Sequence, residues 1–236
     1  MTHADIAITV FLSIRFAVVA TTLNVPVAFC VARIMARRNF RGKGLVDGLV
    51  NLPLVMPPVT TGYLLLFVFG RNGFVGGPLF SLFGVRIAFT GTAATIAAMV
   101  VSFPLVVRSI RGSMDMVDAR IEEAAMTLGA NRLGVLLRVT LPLVSSGVAN
   151  GAVLGFARGL GEFGATMVFA GNIQGRTRTI PLSVYSLLQV PGGERGAVLL
   201  VALSIGVSLV ALVFSATTDR RRLLWSKAPH VRAIPR

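Results

Sequence analysis

One cysteine, Cys30, stands in the chain, so no internal disulfide can form, and it sits inside an apolar run. The two histidines, His3 and His230, are both near the ends, and no cluster of His and Cys offers a metal site. Ser102, Ser145 and Ser146 have no histidine within the apolar segments to activate them, which argues against a membrane hydrolase. No G-x-x-x-x-G-K-[ST] loop is present to cradle nucleotide phosphates. Charge is scarce too: 14% of the 236 residues are charged, against roughly 25% in a soluble domain. The charges that remain are lopsided, with 23 Lys and Arg against 9 Asp and Glu.

What fills the chain is hydrophobic, 54% of it. A bilayer core of about 30 Å needs roughly 20 apolar residues in a helix. Five stretches meet or approach this, near 16–34, 49–69, 87–107, 143–170 and 197–216. The fourth has a polar interruption. The first is followed by Arg33, Arg37 and Arg38 rather than a short cleavage site, and reads as a retained anchor. Basic residues collect in alternate connections. The first holds Arg33, Arg37, Arg38, Arg41 and Lys43, the third holds Arg108, Arg111, Arg120, Arg132 and Arg138, and the tail is also basic. Lys and Arg resist transfer across the membrane, so this bias predicts an outside N-terminus and a cytoplasmic C-terminus. The +14 net charge is thus a topology signal. It forms no contiguous soluble face, and no nucleic-acid partner is expected.

Three features exceed a plain anchor. Gly147, Gly151, Gly155 and Gly159 recur every four residues on one helix face, where small residues let another backbone approach. The partner backbone is either in the same chain, in a second copy, or along a pore. Pro53, Pro57 and Pro58 crowd the second span and free carbonyls that must find partners or line a cavity. Pro57, Pro58, Thr60 and Thr61 are therefore pathway candidates, although proline is common in ordinary membrane helices. Arg158 and Glu162 share a helix face inside the fourth apolar segment. Such a pair either locks helices together or belongs to a gate.

The polar third connection, about 109–140, is helical in pattern: Ile121, Ala124, Ala125 and Leu128 repeat at helical spacing, and Gly129 ends the run. Leu141-Pro142 is expected to restart a helix at the membrane edge. An amphipathic surface helix and a docking element for another subunit both fit.

The order Glu123-Ala124-Ala125, three residues, Gly129, then Leu141-Pro142 resembles the EAA signature of ABC importer permeases, with Val139 where that signature carries isoleucine. A wider match covers most of the chain. LPLVMPPVTTGYLLL (52–66), SFPLVVRSIR (102–111), FARGLGEFGATMVFAGNIQGRTRTIPLSVY (156–185) and QVPGGERGA (189–197) resemble the molybdate transport permease family. Sulfate and tungstate permeases share parts of these segments. Gln174 stands where that family has proline after Asn172-Ile173.

The resemblance implies an all-α polytopic protein with five membrane helices in the type I ABC importer arrangement, spanning 1–218, and a basic cytoplasmic tail at 219–236. It implies ATP-driven uptake of molybdate by alternating access, in the cytoplasmic membrane, with no bond chemistry in this chain. Two permease copies would form the pathway. Two cytoplasmic ATPase subunits would bind the ATP and magnesium, and a periplasmic or extracellular oxyanion-binding protein would deliver the cargo. Carried over, Glu123, Ala124, Ala125 and Gly129 become ATPase-coupling residues. Arg176 and Arg178, in the external loop, are candidates for contact with the binding protein; the apolar stretch 180–190 after them either lies at the membrane interface and presents them, or the segment is a solvated loop.

Overall fold

The computed structural model describes residues 3–226, with side chains from 4 to 213. Among the described residues there are helices and connections but no strand. The first helix, α1 (His3–Arg37), has 35 residues and is therefore about 52 Å long, well over the bilayer core. Two helices, α2 (Lys43–Val55) and α3 (Pro58–Phe69), follow in place of one second span. They meet at 115° across Met56-Pro57. The cause is local: Pro57 and Pro58 have no N–H to continue the ladder, and Pro58 takes the first position of α3, where that lack costs nothing.

A short helix, α4 (Gly76–Phe83), leads to α5 (Gly91–Asp115), which Thr90 caps by accepting a hydrogen bond from Ala93 N. The polar connection folds as α6 (Ala119–Thr127) and α7 (Arg132–Val135), then a π-helical turn (Leu136–Thr140) and α8 (Leu141–Leu143). Leu141-Pro142 therefore does not restart the helix. The restart is ten residues earlier, where Asn131 Oδ1 accepts from Gly134 N at 2.7 Å. Pro142 lies inside the run, and the wide turn directly before it absorbs the N–H that proline cannot supply.

The fourth apolar segment bends by 69° near Val144, continues as α9 (Ser145–Leu160), stops at 161–163 and resumes as α10 (Gly164–Phe169). Last come α11 (Ile180–Leu187) and α12 (Glu194–Ser226). The backbone of α12 runs past residue 218, so no helix end marks the expected start of the tail. Residues 227–236 of that tail lie outside the described residues. Among the described residues three helices are long and apolar enough to cross a membrane, Ala4–Arg37, Gly91–Asp115 and Glu194–Val213. Each bent pair counted as one span gives five.

The frame of the molecule is α1, α5 and α9. The glycine row of α9 packs inside the same chain. A Cβ on Gly151 would lie 3.2 Å from the Val106 carbonyl oxygen, and one on Gly159 would touch Ala98 and Ala17. Polar clamps tie the frame where no water reaches. Asn24 of α1 donates to the Met99 carbonyl and to Ser102 Oγ at 2.9 and 3.0 Å. Ser13 Oγ accepts from Ile180 N at 2.7 Å. Loss of either partner in these clamps would leave an unsatisfied buried group behind.

Candidate functional site: a coupling element and two crossed helix breaks

The coupling element is built from α6. Asp118 caps its start by accepting from Arg120 N at 2.9 Å. Its end is a Schellman turn. Gly129 N bonds the Met126 carbonyl at 3.0 Å, Ala130 N bonds the Ala125 carbonyl at 3.1 Å, and Gly129 has φ +90°. A side chain there would meet nothing within 4 Å, so the demand for glycine is conformational and not steric. Glu123, Ala124 and Gly129 are exposed and Ala125 is half-buried. Ile121 and Leu128 are 47% and 88% exposed on the same side as Ala124. That apolar, small-residue face has no partner within the described residues of this chain.

The opposite face carries a residue that the sequence pattern did not single out. Glu122 is buried, and its carboxylate meets Arg33 at 3.3 Å and Arg37 at 3.4 Å, both from the end of α1. Thr140, from the π-helical turn, donates to Glu122 Oε1 at 3.0 Å and accepts from Arg33 at 3.1 Å. One carboxylate therefore joins α6, α1 and the entry to α9. In sequence Glu122 is masked by Glu123 beside it, and its partners are 89 and 85 residues away. Only the spacing of Glu122 on the face opposite Ala124 was available as a signal.

The pathway candidates converge elsewhere. The break of the second span packs on the break of the fourth. A Cβ on Gly164 would lie 2.7 Å from Pro58 Cβ and 3.1 Å from Val59 N, and one on Gly62 would lie 2.7 Å from the Ala165 carbonyl oxygen. Backbone meets backbone because both helices present glycine at the crossing. Thr61 is buried in α3, and its hydroxyl has no partner among the described residues. Pro57, Pro58 and Thr60 are exposed.

Arg158 and Glu162 flank the second break. They pair at 2.8 Å, with Arg158 at the end of α9 and Glu162 just before α10. Glu162 Oε1 also accepts from Ala165 N at 2.8 Å, so it caps α10 as well as pairing. The signs suit the helix ends, a cation at a C-terminus and an anion at an N-terminus.

In the external loop the two arginines part company. Arg178 is held inside the loop by Asn172 Oδ1 at 2.8 Å and Gln174 Oε1 at 3.4 Å, whereas Arg176 is exposed. Arg176 lines a 660 Å³ cavity with Arg15, Thr90 and Thr92. Gln174 donates to Asp5 at 3.0 Å and ties the loop to the start of α1. The apolar stretch after the loop is helical. It folds as α11, with Ile180, Leu182 and Ser183 buried against α12 and α1. Among the described residues no group of His, Cys, Asp and Glu is placed to hold a metal.

The family model for binding-protein-dependent transport system inner membrane components matches residues 25–223, a range that holds the coupling element and both helix breaks. The chain belongs to this family. It is a membrane subunit of a transport system, and its relatives are permeases and not enzymes. The molybdenum transport system permease protein ModB of Haemophilus influenzae is 48% identical over 210 residues, 89% of this chain and 92% of that one. The protein of the same name from Mycobacterium tuberculosis is 42% identical over 207 residues, 88% of this chain and 78% of that one. The sulfate transport system permease protein CysW of Synechococcus elongatus is 37% identical over 213 residues, 89% of this chain and 73% of that one. Among solved structures, a bacterial ABC transporter that imports the polysaccharide alginate superposes with a TM-score of 0.68 at 17% identity, over 94% of this chain and 80% of that one. The same transporter type with a substrate-bound periplasmic protein gives 0.70 at 16% identity, over 91% and 78%. These last two likenesses speak for the fold, the all-α transmembrane arrangement of ABC importer permeases.

Proposed function

We propose that this binding-protein-dependent permease carries molybdate across the cytoplasmic membrane. The observation that carries the reading is the 48% identity to ModB over nearly the whole of both chains. Sulfate is less favoured, since the sulfate permease relative stands at 37%. A homodimer of this chain would enclose the path. Two ATPase subunits would dock on the exposed face of α6 at Glu123, Ala124, Ala125 and the Gly129 turn, and would hold the ATP and magnesium. An oxyanion-binding protein would dock outside, where Arg176 is free to meet acidic side chains. The basic connections argue for an outside N-terminus and a cytoplasmic C-terminus.

Transport needs a part that moves and a part that holds. The crossed breaks of α3 and α10 are the proposed moving part, with Pro57, Pro58, Thr60 and Thr61 on one side and Arg158 and Glu162 on the other. The α1–α5–α9 frame holds. Glu122 would pass displacement of α6 to α1 through its two arginines. The test is uptake in cells lacking the gene, complemented by it, with cellular molybdenum, tungsten and sulfur measured by mass spectrometry. Restoration of molybdenum alone fits the reading; restoration of sulfur alone overturns it.

A further inference from the structure

The buried Glu122 serves two arginines, and the surroundings leave more positive charge than it can answer. Arg33, Arg37, Arg38 and Arg132 all line one 660 Å³ cavity between the end of α1, α6 and α7, and Glu122 is its one acidic lining residue. Four guanidiniums against one carboxylate leave three uncompensated positive charges. Arg38 and Arg132 form no ion pair among the described residues. Arg38 and Arg132 are exposed, so their guanidiniums stand at the open side of the cavity without a protein partner. Arg37 Nε is fully buried and makes no hydrogen bond within the described residues. Arg33 and Arg37 are half-buried and share one carboxylate, so a counter-anion that joined them would relieve the like-charge repulsion that Glu122 alone cannot answer.

The walls say what kind of anion fits. The cavity rim includes Ile34, near the end of α1, a helix long and apolar enough to cross a membrane, and Leu133 of α7, 47% and 62% exposed. A free inorganic anion gains nothing from apolar side chains there. A phosphate group carrying acyl chains gains from both. The cavity also lies on the Glu122 face of α6, opposite the exposed Ile121 and Leu128, so a subunit docked on that apolar face would leave it open.

We propose that this cavity binds the phosphate headgroup of an anionic phospholipid, with Arg38 and Arg132 as its free donors and Arg33 and Arg37 as its shared ones. Guanidinium forks match phosphate oxygens, and basic pockets between helices at the membrane edge suit such headgroups. The bound lipid would neutralise the cluster that fixes α6 to α1, and so would stiffen the coupling element. The inference rests on the chain's place in a membrane and is independent of which anion it transports.

The experiment uses the permease purified with its ATPase and placed in nanodiscs of phosphatidylcholine, with or without phosphatidylglycerol. Lipid retention is read by native mass spectrometry and stability by the thermal midpoint. Phosphatidylglycerol should raise the midpoint of the wild type. The pair Arg38→Gln and Arg132→Gln should leave the midpoint in pure phosphatidylcholine unchanged, abolish the rise, and weaken phosphatidylglycerol retention about tenfold. Arg41→Gln with Lys43→Gln removes equal charge from the same end but outside the cavity, and should keep the rise. The proposal is overturned if the Arg38/Arg132 variant shows the wild-type rise. It is equally overturned if the Arg41/Lys43 variant loses the rise, or if inorganic phosphate in phosphatidylcholine discs reproduces it.

Discussion

Pro58 and Gly164 meet where two interrupted helices cross, so closely that a Cβ on the glycine would lie 2.7 Å from the proline's own Cβ. The neighbouring atom on that side is the backbone nitrogen of Val59, which cannot rotate away. Gly164→Ala should therefore push α3 and α10 apart. An overpacked contact of this kind costs roughly 1–3 kcal/mol. The thermal midpoint should fall and uptake should fall with it. Gly48→Ala, with open space around it, is the control and should leave both unchanged. A Gly164→Ala protein with wild-type midpoint and uptake would remove the crossing from the mechanism.

Gly129 poses a different problem, because space is not limiting there. Its φ of +90° is reached cheaply by glycine and tolerated by asparagine. Gly129→Val should break the Schellman turn, lower ATPase co-purification and uncouple ATP hydrolysis from uptake. Gly129→Asn should keep most of both. Membrane insertion should be normal in each, read by membrane fractionation. Equal coupling in the two variants would show that the turn geometry is not what the ATPase reads.

Glu122 and Glu123 are adjacent but should fail in different ways. Glu122→Gln weakens two ion pairs in a buried node, and a loss of roughly 1–3 kcal/mol is expected in the thermal midpoint of the isolated permease. Glu123→Gln alters an exposed carboxylate and should leave that midpoint unchanged, while weakening the affinity for the ATPase. The measurement is a pair of melts plus an ATPase pull-down. A stability loss from Glu123→Gln and none from Glu122→Gln would invert the assignment.

The two jobs of Glu162 can be separated by substitution. Glu162→Gln keeps an oxygen to accept from Ala165 N but gives up the charge facing Arg158. Glu162→Met gives up both, so it should be less stable than Glu162→Gln by about 1 kcal/mol, the worth of one cap. Replacing Arg158 by Leu and Glu162 by Met together removes both charges at similar volume. If the pair is part of the gate, that variant assembles with its ATPase and fails to transport. Normal transport by the double variant would leave the pair a brace and nothing more.

The apolar runs, the basic connections and the EAA-like order were legible because each depends on neighbours in sequence. The apolar runs inside α1 and α5 follow from hydropathy, although α1 begins well before residue 16 and α5 runs past 107, and Gly129 follows from the end of a periodic run. The break at Pro57-Pro58 was also readable, since proline acts locally. What pairs across the chain was not. Nothing local says that Gly164 packs on Pro58, or that Glu122 finds Arg33 and Thr140, because those meetings depend on how α1, α3, α6 and α10 are arranged. The misplaced restart at Leu141-Pro142 has a similar cause. Proline is a strong start signal by itself, but a π-helical turn can carry a helix through it, and Asn131 is a better cap upstream.

The corner between α2 and α3 differs from the other bends in what holds it. Met56 N bonds back to Leu52 within α2, Thr61 N bonds Pro57 at the start of α3, and among the described residues no backbone hydrogen bond joins the two helices. The two prolines between them have no N–H to exchange. Changing the 115° angle therefore ruptures no backbone hydrogen bond in a medium that offers no water to replace one. The corner can act as a swivel whose resistance comes only from side-chain packing, so its stiffness can be reset by whatever α3 rests on. Amide exchange should then be equally slow on both sides of a corner that nonetheless turns, and a probe of angle, such as a spin-label pair on α2 and α3, would see what exchange does not.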